Sequence, residues 1–119
     1  MIKLISLLNR KEGMSKDEFM RAWVDEHAPM AASVPGLRRY VLSFILDEPR
    51  RPDVTAEDYS ADGIAELWFD DEEAMKRVLA SEELLHWRAH GATFLGRVKA
   101  FLVEERVFIG EETTPASAH

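Results

Sequence analysis

The chain has no cysteine. Disulfides, thiolate nucleophiles and Cys-ligated zinc are thereby excluded, and the composition suits a reducing compartment, the cytoplasm. Long apolar runs are missing too, since nothing approaches the ~20 consecutive residues that cross a bilayer, and no membrane partner is expected. The opening "MIKLISLLNRKEG" is interrupted by Lys3 and Ser6 and has no small-residue cleavage site, so it reads as a strand rather than a leader. Basic residues are few, 15 against 22 acidic, for a net charge of −7. No basic stripe exists to follow a phosphate backbone, which excludes nucleic acid as the expected partner. Gly-rich phosphate loops, dinucleotide fingerprints and a Ser-His-Asp order are also lacking, and no cofactor is expected.

What is present suits a folded domain. Apolar residues make up 46% of 119 and charged residues 31%, enough for a chain of this size to bury ~60–70% of its unfolded surface in one core. Residues 1–109 form the expected domain, and the polar "GEETTPASAH" over 110–119 a mobile tail. Ile2 to Leu8 reads as a first strand. Ser15 with Glu18 spells a capping box, followed by Phe19, Ala22 and Trp23 at helical spacing. Pro29 disfavours helical geometry for Ala28, so this helix is expected to end near His27, and "VPG" at 34–36 turns the chain. "LRRYVLSFILDE" is a second strand, 47–62 a long loop of the kind that serves as a lid or binding segment, and "GIAELWF" a third strand. The stretch from Asp70 to Val98 divides near Ala80 and Ser81 into two helical pieces, before "KAFLVEERVFI" as a fourth strand. The order is that of a ferredoxin-like βαββαβ unit, an α+β fold with a four-stranded antiparallel sheet and its helices on one face. The other face carries large apolar residues, which predicts that two sheets pack together in a homodimer.

Four features carry chemistry. Trp23 and His27, four apart, share a helical face with the imidazole in the last turn, where it either caps carbonyls or exchanges protons near neutral pH. Tyr40 starts the strand just past the turn, so its phenol either takes one structural partner or reaches the same junction. Glu66, in the middle of a strand expected to be covered on both sides, requires a partner such as Arg38, Arg106 or Lys99, or else a cavity. Glu82, His86 and His90 lie on one helix face, but "HWRAH" has neither the base nor the third ligand of a zinc helix. No metal site is expected there.

Together, "RKEGMSKDEFMRAWVDEHAPMAASVPGLRRYV" and "DGIAELWFDDEEAM" resemble the EthD domain family of the dimeric α+β barrel superfamily, from about residue 3 to 108. The resemblance implies a ferredoxin-like subunit that dimerises through its sheets. Its members include a methylmuconolactone isomerase, whose pocket cysteine this chain lacks, and cofactor-free fungal dehydratases. It therefore implies a cofactor-independent acid–base enzyme on a small apolar cyclic molecule (a lactone, phenolic or polyketide-like compound), acting as isomerase, dehydratase or cyclase. The alternatives are a non-catalytic ligand-binding or accessory homodimer and a cofactor-free monooxygenase. On this resemblance His27 is the general acid or base, Tyr40 a hydrogen-bond donor and Trp23 a pocket wall. Glu66 and Trp68 of the third strand complete the candidate substrate contacts.

Overall fold

The computed structural model describes residues 1–111. From residue 112 on, the expected tail lies outside the described residues. The strands are β1 (Ile2–Arg10), β2 (Arg39–Ser43), β3 (Gly63–Phe69) and β4 (Leu95–Glu104). They form one antiparallel sheet in the order β2-β3-β1-β4, the ferredoxin-like arrangement read from the sequence. β2 is shorter than "LRRYVLSFILDE" suggested. It is an edge strand, and its pairing stops at Ser43 opposite Ile64, near the start of β3.

The first helical run opens at Ser15, whose side chain accepts from Glu18 N–H at 3.1 Å while Glu18 Oε1 accepts from Ser15 N–H at 3.4 Å. It begins as α1 (Lys16–Met20), widens into π-type turns over Arg21–His27 and tightens into a 3₁₀ turn over Ala28–Ser33. The expected end at His27 is corrected here. Ala28 is helical, with φ −58° and ψ −43°, and Pro29 stands in the first turn of the 3₁₀ segment, where its missing N–H leaves no bond unmade. The wide turns are seen directly in the Ala28 N–H, which bonds back to Trp23 O. Such turns are rare and concentrate at functional sites. Gly36 then takes a left-handed φ of +88°, redirecting the chain into β2.

The second helical segment divides where expected. Asp71 caps α2 (Glu72–Leu79) and Ser81 caps α3 (Glu82–Gly91), with their side chains accepting from Ala74 N–H at 2.7 Å and Leu84 N–H at 3.2 Å. No helix among the described residues is long and apolar enough to cross a membrane.

The helices cover one face of the sheet and enclose two buried clusters. One gathers Val34, Leu67, Phe69, Met75, Val78, Leu84 and Trp87; the other gathers Leu8, Phe19, Trp23, Ala65 and Phe94. Tyr40 packs against both. Among the described residues no helix lies on the opposite face, and Phe101 there remains 45% exposed.

Candidate active site

A cavity of about 360 Å³ opens at the seam between the two clusters. Its floor is the helix-facing side of the sheet, with Leu4, Ser6 and Leu8 of β1 and Ala65 and Leu67 of β3; its walls are Trp23 and His27 of the first helical run, Tyr40 of β2, and Leu84, Trp87, Arg88 and Gly91 of α3. Strand alternation explains the floor, since residues of one parity share a face. Helical period explains the α3 wall, because Leu84, Trp87, Arg88 and Gly91 stand at i, i+3, i+4 and i+7.

His27 is the most enclosed polar group of the lining, only 8% exposed. Its ring lies parallel to the Trp87 indole at 4.9 Å between centroids, and its backbone carbonyl accepts the Trp87 indole N–H at 2.9 Å. Nδ1 stands 3.0 Å from Nδ1 of His90. The opposite ring edge rests against Gly91, where an added Cβ would come within 3.3 Å of Cε1 and 3.6 Å of Nε2. Glycine at that helix position keeps a side chain of α3 off the Nε2 edge. Burial, helped by the neighbouring His90, pushes the His27 imidazole down to about 4, so it is neutral at pH 7 and able to accept a proton.

Tyr40 approaches the same wall, with its ring edge-on to Trp87 at 5.1 Å. Burial pushes its phenol up to about 12, against a smaller opposing influence of the Trp23 indole. It stays protonated and able to donate. Trp23 itself is 1% exposed and packs on Phe19 and Phe44 at 5.5 Å each.

Three of the five residues picked from the sequence therefore meet at one cavity: Trp23, His27 and Tyr40. Glu66 and Trp68 do not. The register that sets Ala65 and Leu67 on the cavity floor turns Glu66 and Trp68 to the other face, opposite Ile5 and Lys3. Their placement as cleft residues is corrected. The partner of Glu66 is Lys3 at 3.1 Å rather than Arg38, Arg106 or Lys99. The loop over 47–62 likewise contributes nothing to the cavity lining among the described residues. It is tied instead to the end of β1, where Tyr59 donates to Asn9 Oδ1 and the Asn9 amide donates to Ser60 O, both at 2.9 Å.

Two residues, Arg88 in the cavity wall and His90 behind it, escape a reading of the sequence alone. Arg88 contributes a guanidinium to a lining otherwise mostly apolar and forms no salt bridge among the described residues. His90 reads in sequence only as a metal ligand with His86 and Glu82, whereas in the structure it faces His27 across the helix gap. Among the described residues no three His, Asp or Glu side chains are grouped to hold a metal. The signal for Arg88 is the stripe it shares with Leu84, Trp87 and Gly91.

The methylmuconolactone methyl-isomerase family model matches residues 1–109. A 4-carboxymethyl-4-methylbutenolide mutase of Pseudomonas reinekei is 34% identical over 108 residues, covering 90% of this chain and all of that protein. Among solved structures, an ethyl tert-butyl ether D (EthD) family protein of Bacillus halodurans superposes with a TM-score of 0.74 at 24% identity, covering 89% of this chain and 99% of that one. SnoaB, a cofactor-independent oxygenase of Streptomyces nogalater, superposes with a TM-score of 0.60 at 16% identity, covering 92% of this chain and 97% of that one. The likeness to the EthD fold is borne out, and the chain belongs to the methylmuconolactone methyl-isomerase family, an isomerase-type enzyme family.

Proposed function

We propose that this protein is a cofactor-independent isomerase of a small lactone bearing a carboxylate, working in the cytoplasm as a homodimer, with His27 as its acid–base group. The observation that carries this reading is a neutral imidazole in the wall of a mostly apolar cavity of about 360 Å³, a volume that suits a small cyclic molecule. His27 Nε2 takes a proton from the methylene carbon of the carboxymethyl arm as the ring C–O bond breaks and its electron pair leaves on the lactone carboxylate. The arm's own carboxylate then closes on the next carbon of the opened diene, and the proton returns to the carbon beside the former lactone carbonyl. Tyr40, held protonated by burial, donates a hydrogen bond to the oxygen on which negative charge develops. Trp23 and Trp87 form flat apolar walls for the ring, and Arg88 meets the carboxylate at the rim. The curated relative acts on a butenolide with a carboxymethyl arm, which supplies both the ring and the anion that this lining suits.

The dimer reading rests on the uncovered sheet face, where Ile5, Leu7, Val41 and Phe101 stand with no helix of the described residues over them. A second copy of the same face would bury them.

The test is to follow 4-carboxymethyl-4-methylbutenolide by proton NMR with the parent protein and with His27→Ala. Turnover by the parent is expected to fall by ~10²–10⁴-fold in the variant, with the fold retained by circular dichroism. Parent-like turnover in His27→Ala overturns the role of His27. If neither the butenolide nor its carboxymethyl isomers are converted by the parent, the substrate class is wrong.

A further inference from the structure

His90 has no part in the proposed chemistry as described above, yet among the described residues it is the one polar side chain bonded to the His27 ring. The two imidazoles are nearly parallel, 9° apart, and meet nitrogen to nitrogen, Nδ1 to Nδ1 at 3.0 Å. A contact that short between two ring nitrogens requires one to carry the hydrogen and the other to accept it. On its far side His90 Nε2 lies 3.9 Å from Glu26 Oε1. Exposure rises steadily along this line: His27 is 8% exposed, the His90 side chain 27% and the Glu26 side chain 58%. A chain of proton-carrying groups therefore runs from the cavity to solvent.

We propose that His90, with Glu26 beyond it, is a positioning and proton-relay residue for His27, letting the buried ring change tautomer rather than charge during turnover. This rests on the acid–base reading of His27. In the resting form His27 Nδ1–H donates to His90 Nδ1, leaving His27 Nε2 bare toward the cavity, and His90 carries its own hydrogen on Nε2. When a substrate C–H proton bonds to His27 Nε2, the Nδ1–H proton moves to His90 Nδ1, and the His90 Nε2 proton passes to water or, through water across the 3.9 Å gap, to the Glu26 carboxylate. Both imidazoles end neutral, the substrate holds the electron pair, and one proton has left the buried site. The return step reverses each transfer and delivers the His27 Nε2 proton to the substrate at its new position.

The physical need for such a device is plain. A cationic ring wedged between the Trp87 indole and Phe94, whose ring stands edge-on at 5.2 Å, is poorly solvated. The other ionisable groups around the pair do not substitute for the relay. Tyr40, from β2, holds its proton, Arg88, from α3, is permanently charged, and Glu26, on the same helical run as His27, is reached only through His90.

The discriminating variants are His90→Asn and His90→Phe. Asn places its amide oxygen where the imidazole has Nδ1, so it still accepts from His27 Nδ1–H but cannot pass a proton on; Phe does neither. Ring-nitrogen NMR of the parent is expected to show His27 protonated at Nδ1 with Nε2 bare, a pattern kept in His90→Asn and lost to a mixture of tautomers in His90→Phe. This measurement needs no substrate, so it stands even if the butenolide is not converted. On a converted substrate, kcat is expected to fall about 10- to 100-fold in His90→Asn with KM unchanged, the scale on which an outer partner of a working histidine is felt. Its proton inventory, curved in the parent where two protons move together, becomes straight. Should His90→Phe fail to fold, His90→Asn alone decides. Nε2 protonation of His27 in the resting parent, or parent-like kcat with a curved inventory in His90→Asn, overturns the relay.

Discussion

The two faces of this sheet solve the problem of placing ionisable side chains in opposite ways. On the helix-covered face, His27 and Tyr40 are enclosed by aromatic rings, and burial decides their protonation, so that both are neutral at pH 7. On the open face, Lys3 bridges Glu66 at 3.1 Å and Glu105 at 3.2 Å, and Glu105 also accepts the Trp68 indole N–H at 2.6 Å. Burial pulls the Lys3 ammonium down, but the two carboxylates together outweigh it and hold its pKa above the ordinary value. Trp68, itself only 4% exposed, is covered there by Lys3 at 4.9 Å and Arg39 at 5.0 Å from its ring, two cations placed where the ring attracts them. Neutral groups available for proton transfer lie on one side, and fixed charges that complete one another on the other. A single residue of register would exchange the two sets.

The contrast is sharpened most strongly by pH. The His27 imidazole titrates near 6.5 in the unfolded chain and near 4 in the folded one. Between those values the unfolded chain binds more protons, so stability is fully present above about pH 6.5 and falls as pH is lowered toward 4. The loss is on the order of 3 kcal/mol. Urea unfolding of the parent at a series of pH values between 4 and 7 should show this slope, and His27→Gln should flatten it. An equally steep slope in the variant would mean that the helix-covered face does not depress this group.

Much of this arrangement is written in the sequence. The capping box at Ser15, the break between α2 and α3 and the strand order follow from local chemistry, which reads the same in a short window as in the fold. His27, Tyr40 and Trp23 are legible because a proline, a glycine and a helical spacing lie close together in the chain. Glu66 and Trp68 are misplaced by such a reading because "GIAELWF" is apolar at nearly every position, which hides the alternation that separates the two faces. The second half of the site cannot be read locally. His90 lies 63 residues from His27, and in sequence its only obvious companions are His86 and Glu82. The continuation of the first helical run through Pro29 also depends on tertiary support, since the Trp87 indole takes the carbonyl of His27 at the change of helix type.

The open face yields to two further changes. Phe101 is 45% exposed and pairs in register with Ile5, near the middle of the face proposed to meet its copy. Placing a carboxylate there buries a charge against a symmetry mate of like charge. Phe101→Asp should weaken dimerisation by about 2 kcal/mol or more, roughly 30-fold in Kd, measured by sedimentation at graded concentration. A sedimentation profile identical to that of the parent would place the dimer contact elsewhere.

The smallest effect belongs to Glu66→Gln. The Lys3 and Glu66 side chains retain 14% and 22% exposure, and Lys3 keeps Glu105 as a second partner at 3.2 Å. Removing one carboxylate therefore leaves no cation unpaired, and the amide oxygen still accepts from the ammonium. The expected cost is about 1 kcal/mol or less, read as a small drop in Tm at low salt that shrinks as salt is added. Activity should not change, because Glu66 faces away from the cavity. A large loss of turnover in Glu66→Gln with the fold intact would break the division between the faces, because it would mean that the charged side reaches the chemistry after all.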